Sequence, residues 1–306
     1  MKNGRFAAFR GVGVALVTPF ENGHIDRKGM ERLVSHVIEG GVDFLVALGT
    51  TGESNTASEA EHRQILDTVI QANAGRLPVV AGNFGGNNTA ALVHKIKGYN
   101  FDGIDALLSS APAYNRPTQE GLYCHYMALA EASPRPIILY NVPSRTACNI
   151  APETTLRLAQ SSDRFLGIKE AASNDMMQIM RIIKDAPDHF LTLSGDDFIT
   201  LPLIASGGSG VISVIANAFP REFAAMTHAA LNGDWDEARR LHYLLLEMYY
   251  LLFIEGNPAG VKAALAHLGI CGDEVRLPLV SMSQAGKERL FAGIAEILRA
   301  RQDLTG

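Results

Sequence analysis

A single lysine lies at the end of an apolar run, Phe165–Lys169. Lysine is rarely fully buried unless it has a partner or a chemical role. Burial disfavours the charged form of an amine and lowers its pKa, and a neutral amine is the nucleophile that forms an imine with a carbonyl compound. A lysine at a strand end can also lay its stem along apolar surface and keep its charge in water. The run alone leaves both interpretations open.

A tyrosine ends the preceding apolar run, Ile137–Tyr140. Side chains alternate along a strand, so Lys169 shares a face with Gly167, while Glu170 points to the other face. If the two runs are adjacent strands, Tyr140 and Lys169 meet over one small cavity, and Gly167 leaves room for the lysine stem. A tyrosine hydroxyl beside an amine can carry the protons that imine chemistry moves. Taken alone, Tyr140 is more often a half-buried strand aromatic.

Polar residues also follow other apolar runs. The loop Gly49–Gly52 is either a turn that enters a helix or a cradle of backbone N–H groups for an anion. It lacks the lysine of a phosphate-binding P-loop. Arg145 is either a solvated loop charge or a bidentate clamp for a carboxylate. Asp196 and Asp197 have no accompanying histidine cluster, so we interpret them as structural and predict no metal site.

These residues need a scaffold that brings strand ends together. Eight short apolar runs alternate with helical patterns, and the runs are Val14–Val17, Phe44–Leu48, Val79–Ala81, Ala106–Ser109, Ile137–Tyr140, Phe165–Lys169, Leu191–Ser194 and Gly210–Val214. The alternation predicts an α/β fold, a (β/α)8 barrel over residues 1–219, with C-terminal helices packed on it over residues 220–306. A doubly wound sheet is the alternative, but its G-x-G-x-x-G turn is absent. Active sites of such barrels lie at the carboxyl ends of the strands, where the polar residues above are found.

Composition narrows the class of protein. The 306 residues are 47% hydrophobic and 19% charged, as in a compact globular protein, and a net charge of −5 offers no basic face for nucleic acid. Cys124, Cys148 and Cys271 are odd in number and far apart. They predict reduced thiols rather than a disulfide framework or a metal site.

Two apolar stretches raise the question of a leader or a membrane span. The first lies within residues 1–20, MKNGRFAAFRGVGVALVTPF. Arg10 interrupts it and no small-residue cleavage site follows, so a first strand is favoured over a signal peptide. The second, Leu241–Ile254, contains His242 and Glu247 and is too short to cross a bilayer. It is typical of a buried or interface helix, and we expect a cytoplasmic protein.

Eight stretches together resemble the dihydrodipicolinate synthase family, a branch of the pyruvate-dependent class I aldolases. They follow one another in the family's order over nearly the whole chain. They are GTTGES at Gly49–Ser54, YNRPTQEGLY at Tyr114–Tyr123, YNVPSRT at Tyr140–Thr146, GIKEA at Gly167–Ala171, SGDD at Ser194–Asp197, GVISV at Gly210–Val214, NPAGVK at Asn257–Lys262 and RLPLV at Arg276–Val280.

The resemblance implies a set of catalytic residues. Lys169 would form a Schiff base with pyruvate, and Tyr140 would donate and accept the protons. Thr50 would link Tyr140 to Tyr114, which in this family enters the site from a neighbouring subunit. The implied assembly is a homo-oligomer, a dimer of dimers.

The resemblance also implies how the substrates are held. Thr51 and Ile212 would hold the pyruvate portion, and Gly195 would line the pocket. Arg145 would bind the carboxylate of L-aspartate semialdehyde. The implied reaction is the condensation of lysine and diaminopimelate biosynthesis, and it needs no metal or organic cofactor because the imine itself polarises the substrate.

Four positions depart from the family pattern. Ala113 stands where relatives often have a second tyrosine, and Ala147 stands where glycine is usual. Glu59 and Ala91 replace a histidine and a glutamate that lysine-inhibited relatives often carry. We therefore expect weak or absent feedback inhibition by lysine.

Other functions fit the same scaffold. The enzymatic alternative is another pyruvate aldolase, acting on a 2-keto-3-deoxy sugar acid or on N-acetylneuraminate. The alternative from another class is a non-catalytic ligand-binding barrel, which would be expected to lose Lys169, Tyr140 or Thr50. All three are present.

Overall fold

The computed structural model describes residues 6–303 of the chain. Its strands, numbered along the chain, are β1 (Gly11–Ala15), β2 (Phe20–Glu21), β3 (His24–Ile25), β4 (Phe44–Ala47), β5 (Val79–Ala81), β6 (Ala106–Ser110), β7 (Ile137–Asn141), β8 (Phe165–Glu170), β9 (Leu191–Ser194) and β10 (Gly210–Ser213). Its α-helices are α1 (Arg27–Glu39), α2 (Glu59–Asn73), α3 (Thr89–Gly98), α4 (Gln119–Ala132), α5 (Pro143–Thr146), α6 (Pro152–Ser161), α7 (Met176–Asp185), α8 (Thr200–Ala205), α9 (Pro220–Asn232), α10 (Trp235–Leu244), α11 (Leu246–Leu251), α12 (Ala259–His267) and α13 (Gln284–Asp303).

Eight of the strands form a closed barrel in the order β1, β10, β9, β8, β7, β6, β5, β4. Neighbouring strands run parallel, as β7 does with β8 and β8 with β9. The ring closes where the N–H of Asp43 donates to the carbonyl of Val12 over 2.8 Å. The predicted (β/α)8 barrel is confirmed, and the doubly wound alternative is wrong because an open sheet would leave two unpaired edges.

The first barrel strand starts earlier than predicted. The sequence favours Val14–Val17, whereas β1 covers Gly11–Ala15. Glycine is depleted in strands, so the glycine-rich start of β1 is predicted as a loop. Here the glycines allow close packing, since a Cβ on Gly13 would lie 2.1 Å from the Phe44 ring.

A small hairpin between β1 and α1 was not predicted. β2 pairs antiparallel with β3, and the connection is Asn22-Gly23. Both residues have positive φ, 52° and 77°, as a two-residue hairpin turn requires. The Asn-Gly pair was an available signal, but strands of two residues are too short to produce an alternating pattern.

Local sequence signals account for several helix ends. Ser58 caps α2 by accepting from the N–H of Glu61, and the Glu61 carboxylate accepts from the N–H of Ser58. Gly41 follows α1 with φ 84°, and Pro152 is in the first turn of α6. These local signals hold because capping and proline act within one turn of chain.

The chain divides into two compact units. The described residues of the first unit are 6–13, 43–46 and 78–212, and they include β5 to β9 entire. Those of the second unit are 14–42, 47–77 and 213–303, and they include α1, α2 and α9 to α13. The division at residues 219/220 stays a prediction. Among the described residues, every helix is too short or too polar to cross a bilayer.

Candidate active site

Lys169 and Tyr140 are neighbours in the barrel. They are register partners on β8 and β7, as the pattern predicts, and the Nζ of Lys169 lies 4.5 Å from the centre of the Tyr140 ring. Lys169 is 5% exposed and Tyr140 is 7% exposed. Within residues 6–303, no hydrogen bond or ion pair involves the Lys169 amine. The site therefore contains a buried amine against an aromatic ring that carries a hydroxyl.

The other face of the same two strands is polar. Asn141 and Glu170 are register partners one step beyond the pair, and both are fully buried. The amide of Asn141 donates to both Glu170 oxygens over 2.9 and 3.1 Å. Alternation thus divides the strand ends as predicted, with Lys169 on one face and Glu170 on the other.

Gly167 has a different role from the one the sequence suggests. We expected it to leave room for the lysine stem. A Cβ at this position would lie 2.2 Å from the carbonyl oxygen of Leu191, so the missing side chain lets β8 approach β9. Gly195 is similar, since a Cβ there would lie 2.5 Å from the Cβ of Ala171, and its N–H donates to the carbonyl of Glu170 over 2.7 Å.

The electrostatics of Glu170 are unusual. Burial raises the pKa of its carboxyl group to about 7, since desolvation outweighs the donors from the Ala172 backbone and from Asn141 and Gln178. The nearby charge of Asp175 raises this pKa further. The residue next to Lys169 in the chain is therefore a carboxyl group that changes charge near neutral pH.

Arg145 lies on a short, exposed helical turn, α5, that follows β7. The hydroxyl of Thr146 supports this turn by donating to the carbonyls of Val142 and Cys148. Ala147 ends the turn with φ 56°, a left-handed conformation that glycine adopts at no steric cost. Ala147 therefore holds, at some strain, a backbone conformation that suits glycine.

Tyr114 points away from the rest of the first unit and is 93% exposed. Its backbone has φ 71°, and its N–H donates to the carbonyl of Thr146 over 3.0 Å. The amide of Asn87 forms two hydrogen bonds with the backbone of Ala113, of 2.7 and 2.9 Å. The loop is therefore fixed beside the Arg145 turn although the tyrosine ring is free in solvent.

The remaining predicted pocket residues lie in different places. Ile212, on β10 in the first unit, is fully buried, and Gly195 is half-buried at the end of β9. Thr50 and Thr51 belong to the second unit, where Thr50 is exposed and Thr51 is buried. The hydroxyl of Thr51 accepts from the amide of Asn257 over 2.9 Å.

Sequence reasoning missed the ion pair that supports the threonine loop. Lys262 is 0% exposed, and its Nζ lies 2.5 Å from Oε1 of Glu53, two residues after Thr51. The second Glu53 oxygen accepts from the N–H of Arg276 over 3.0 Å. A lysine within the apolar helix sequence of α12 was an available signal for such a partner.

A metal centre is not found in residues 6–303, where His, Cys, Asp and Glu form no group of three or more that could hold an ion. The three cysteines are free thiols. The carbonyl of Asp196 accepts a hydrogen bond from the hydroxyl of Ser194 over 2.6 Å.

Comparison with known proteins identifies relatives of the whole chain. The family model described as dihydrodipicolinate synthetase matches residues 8–297. The chain is 51% identical over 284 residues to the 4-hydroxy-tetrahydrodipicolinate synthase of Flavobacterium psychrophilum, covering 92% of this chain and 96% of that relative.

The chain belongs to the dihydrodipicolinate synthetase family. Two solved members show the same fold. A structure described as the first monomeric dihydrodipicolinate synthase variant has a TM-score of 0.92 at 40% identity and covers 95% of this chain and 98% of that chain. The chloride-inhibited dihydrodipicolinate synthase of Acinetobacter baumannii, complexed with pyruvate, has a TM-score of 0.90 at 37% identity and covers 94% and 98%.

Proposed function

We propose that this protein condenses pyruvate with L-aspartate 4-semialdehyde to give 4-hydroxy-tetrahydrodipicolinate, the lyase-type reaction of lysine and diaminopimelate biosynthesis. The observation that carries the proposal is the buried Lys169 amine, packed against Tyr140 and without an anionic partner in the described residues. The names of relatives at about half identity favour this function over other pyruvate aldolases and over a non-catalytic barrel.

The chemistry begins at the Lys169 amine. Its lone pair attacks the keto carbon of pyruvate, and loss of the ketone oxygen as water leaves an imine. Once protonated, the imine accepts the electron pair released when the methyl group loses a proton, which gives an enamine. Tyr140, with its ring 4.5 Å from the amine, is placed to move these protons. No further cofactor is needed, because the imine does the polarising.

Carbon–carbon bond formation follows. The enamine carbon attacks the aldehyde carbon of the semialdehyde, and the nitrogen lone pair re-forms the protonated imine. The electron pair of the aldehyde C=O moves to its oxygen, which takes up a proton and becomes a hydroxyl group. The amine of the incoming substrate then replaces Lys169 at the imine carbon, which closes the ring and frees the lysine. Arg145 supplies a planar fork of donors that suits the semialdehyde carboxylate. The roles of Thr50, Thr51, Ile212 and Gly195 remain those that the family resemblance implies.

Reduction with borohydride in the presence of pyruvate tests this proposal. Mass spectrometry should find one reduced pyruvate adduct on Lys169 in the wild-type protein. Lys169→Ala should abolish both the adduct and nearly all turnover, since no nucleophile remains. Lys184→Ala, at an exposed lysine, is the matched control and should behave as the wild type. An adduct that persists in Lys169→Ala would contradict the assignment.

We further propose a homo-oligomer, a dimer of dimers, in which Tyr114 completes the proton relay of a neighbouring subunit. Its 93% exposure on a fixed backbone supports this role. Sedimentation should show an assembly larger than one chain, and Tyr114→Phe should lower kcat. A fully active monomer would contradict it. The free thiols support a cytoplasmic location, and weak or absent inhibition by lysine stays a prediction from Glu59 and Ala91.

A further inference from the structure

A closed set of polar side chains lies behind the reactive lysine, on the opposite face of β8. Its members, which we call the Glu170 cluster, are Asn141, Asn149, Glu170 and Gln178. All belong to the first unit, and none has a part in the proposed chemistry. Asn141, Glu170 and Gln178 are buried, while Asn149 is exposed. A buried network of this size is expensive unless every member is satisfied, so its arrangement needs an explanation.

Glu170 is the centre of the cluster and accepts hydrogen bonds from neutral donors. Asn141 donates to both carboxyl oxygens, the Gln178 amide donates to Oε2 over 3.1 Å, and the N–H of Ala172 donates to Oε1 over 2.8 Å. These partners come from β7, from α7 and from the loop after β8. Glu170 thus joins three elements that surround the strand of Lys169.

Asn149 connects the cluster to the segment that carries Arg145. Its side-chain oxygen accepts from Asn141 over 2.8 Å and from Gln178 over 3.1 Å, and its amide donates to the Gln178 oxygen over 2.8 Å. The side-chain oxygen of Asn141 also accepts from the N–H of Ile150 over 2.9 Å. Residues 142–148, which include Arg145, are therefore tied to the cluster at both ends.

We propose that Glu170 is a positioning residue, which acts through Asn141 and Asn149 to fix the Arg145 turn relative to Lys169 and so helps to select the aldehyde substrate. The inference depends on the proposed function. Lys169 and Glu170 are consecutive residues of β8, so the strand connects the reactive amine directly to the centre of the cluster. The turn is held internally by its own backbone hydrogen bonds and by Thr146, and Arg145 is solvent-exposed. Its position relative to β8 is set by its two ends and by the N–H of Tyr114, which donates to the Thr146 carbonyl.

The proposal predicts a selective kinetic defect. In Glu170→Gln, either orientation of the new amide places an N–H group against a donor, which disturbs the cluster. The KM for L-aspartate semialdehyde should rise about tenfold, as expected for the loss of one well-placed interaction, while borohydride trapping of pyruvate on Lys169 stays within about twofold of the wild type. Glu131→Gln, at an exposed glutamate of α4, is the control and should change neither quantity.

Asn149→Ala provides a second variant, because Asn149 is exposed and its truncation leaves Glu170 with its own donors. It should raise the semialdehyde KM in the same way. In an Arg145→Ala background, which has already lost the clamp, Asn149→Ala should have no further effect on this KM. Two independent, multiplying losses would mean that the cluster does not act through Arg145 and would overturn the proposal.

The outcomes separate this inference from the proposed function. If the wild-type protein forms no pyruvate adduct, both the proposed function and this inference are wrong. If the wild type forms the adduct and turns over, but the Glu170 and Asn149 variants keep its semialdehyde KM, only the inference is wrong. An equal loss of pyruvate trapping and of semialdehyde affinity would also overturn it, because that is the result of general disruption.

Discussion

Two lysines among residues 6–303 are buried, and their surroundings are opposite. Lys262, in the second unit, is 0% exposed and pairs with Glu53, donates to the carbonyl of Glu274 over 2.7 Å and lies 4.3 Å from the centre of the Phe20 ring. Lys169, in the first unit, lies 4.5 Å from the centre of the Tyr140 ring, and its amine has no hydrogen bond or ion pair among the described residues. Burial is therefore common to both, and the presence of a carboxylate partner separates them.

The difference between Lys262 and Lys169 indicates a different role for each side chain. An ion pair with additional hydrogen bonds fixes its neighbourhood. Glu53, which itself has a left-handed backbone with φ 53°, is held in this way just after Thr50 and Thr51. Burial lowers the pKa of Lys262, and the Glu53 carboxylate opposes that shift. An amine with no such partner is available to a substrate. The carboxyl group nearest to Lys169 in the chain, Glu170, faces away from it and contacts only neutral donors.

The largest effect is expected at the paired lysine. Lys262→Met would leave the Glu53 carboxylate buried and without its cation, which costs about 3–5 kcal/mol of unfolding free energy. Urea unfolding measures this loss. Adding Glu53→Gln to Lys262→Met should recover part of it, because the uncompensated charge is gone. A single variant as stable as the wild type would mean that the pair does not hold the second unit together.

A pH-dependent effect is expected at Glu170. Its pKa of about 7 in the folded protein lies above the ordinary value of 4.5, so the folded state binds this proton more tightly than the unfolded state does. The contribution of this pKa shift to the free energy of unfolding is fully present below the unfolded pKa. It is lost as the pH rises through about 7, a change on the order of 3 kcal/mol. The stability advantage of the wild type over Glu170→Gln should therefore shrink between about pH 5 and about pH 8. A difference independent of pH would show that Glu170 does not titrate in this range.

The smallest change in stability is expected at Lys169. Lys169→Met removes a buried amine that has no anionic partner in the described residues, and methionine fills a similar volume. Urea unfolding should give a free energy equal to that of the wild type or higher by about 1 kcal/mol, in line with the trade-off between stability and activity at catalytic sites. Pyruvate trapping should be abolished. A loss as large as that of Lys262→Met would show that Lys169 has a structural partner after all.

The sequence alone determined the barrel and the pairing of Tyr140 with Lys169. Strand and helix patterns are local, so the eight βα units, the Ser58 cap and the Pro152 start could be predicted from the chain. Alternation within β7 and β8 was enough to place Tyr140 and Lys169 on one face and Glu170 on the other, because the period of a strand is fixed by its backbone. The family resemblance then followed from short motifs in a fixed order.

Only the tertiary structure decided which partner each buried group has. The sequence singled out Lys169 for its apolar surroundings, yet Lys262 has equally apolar neighbours, and its partner Glu53 lies 209 residues away. The closed Glu170 cluster likewise joins side chains that are up to 37 residues apart, counted from Asn141 to Gln178. The electrostatic energy of a charged group depends on its distance in space from other groups, and separation along the chain does not predict that distance. The choice between a lysine that fixes a loop and a lysine that is free to react was therefore made in three dimensions.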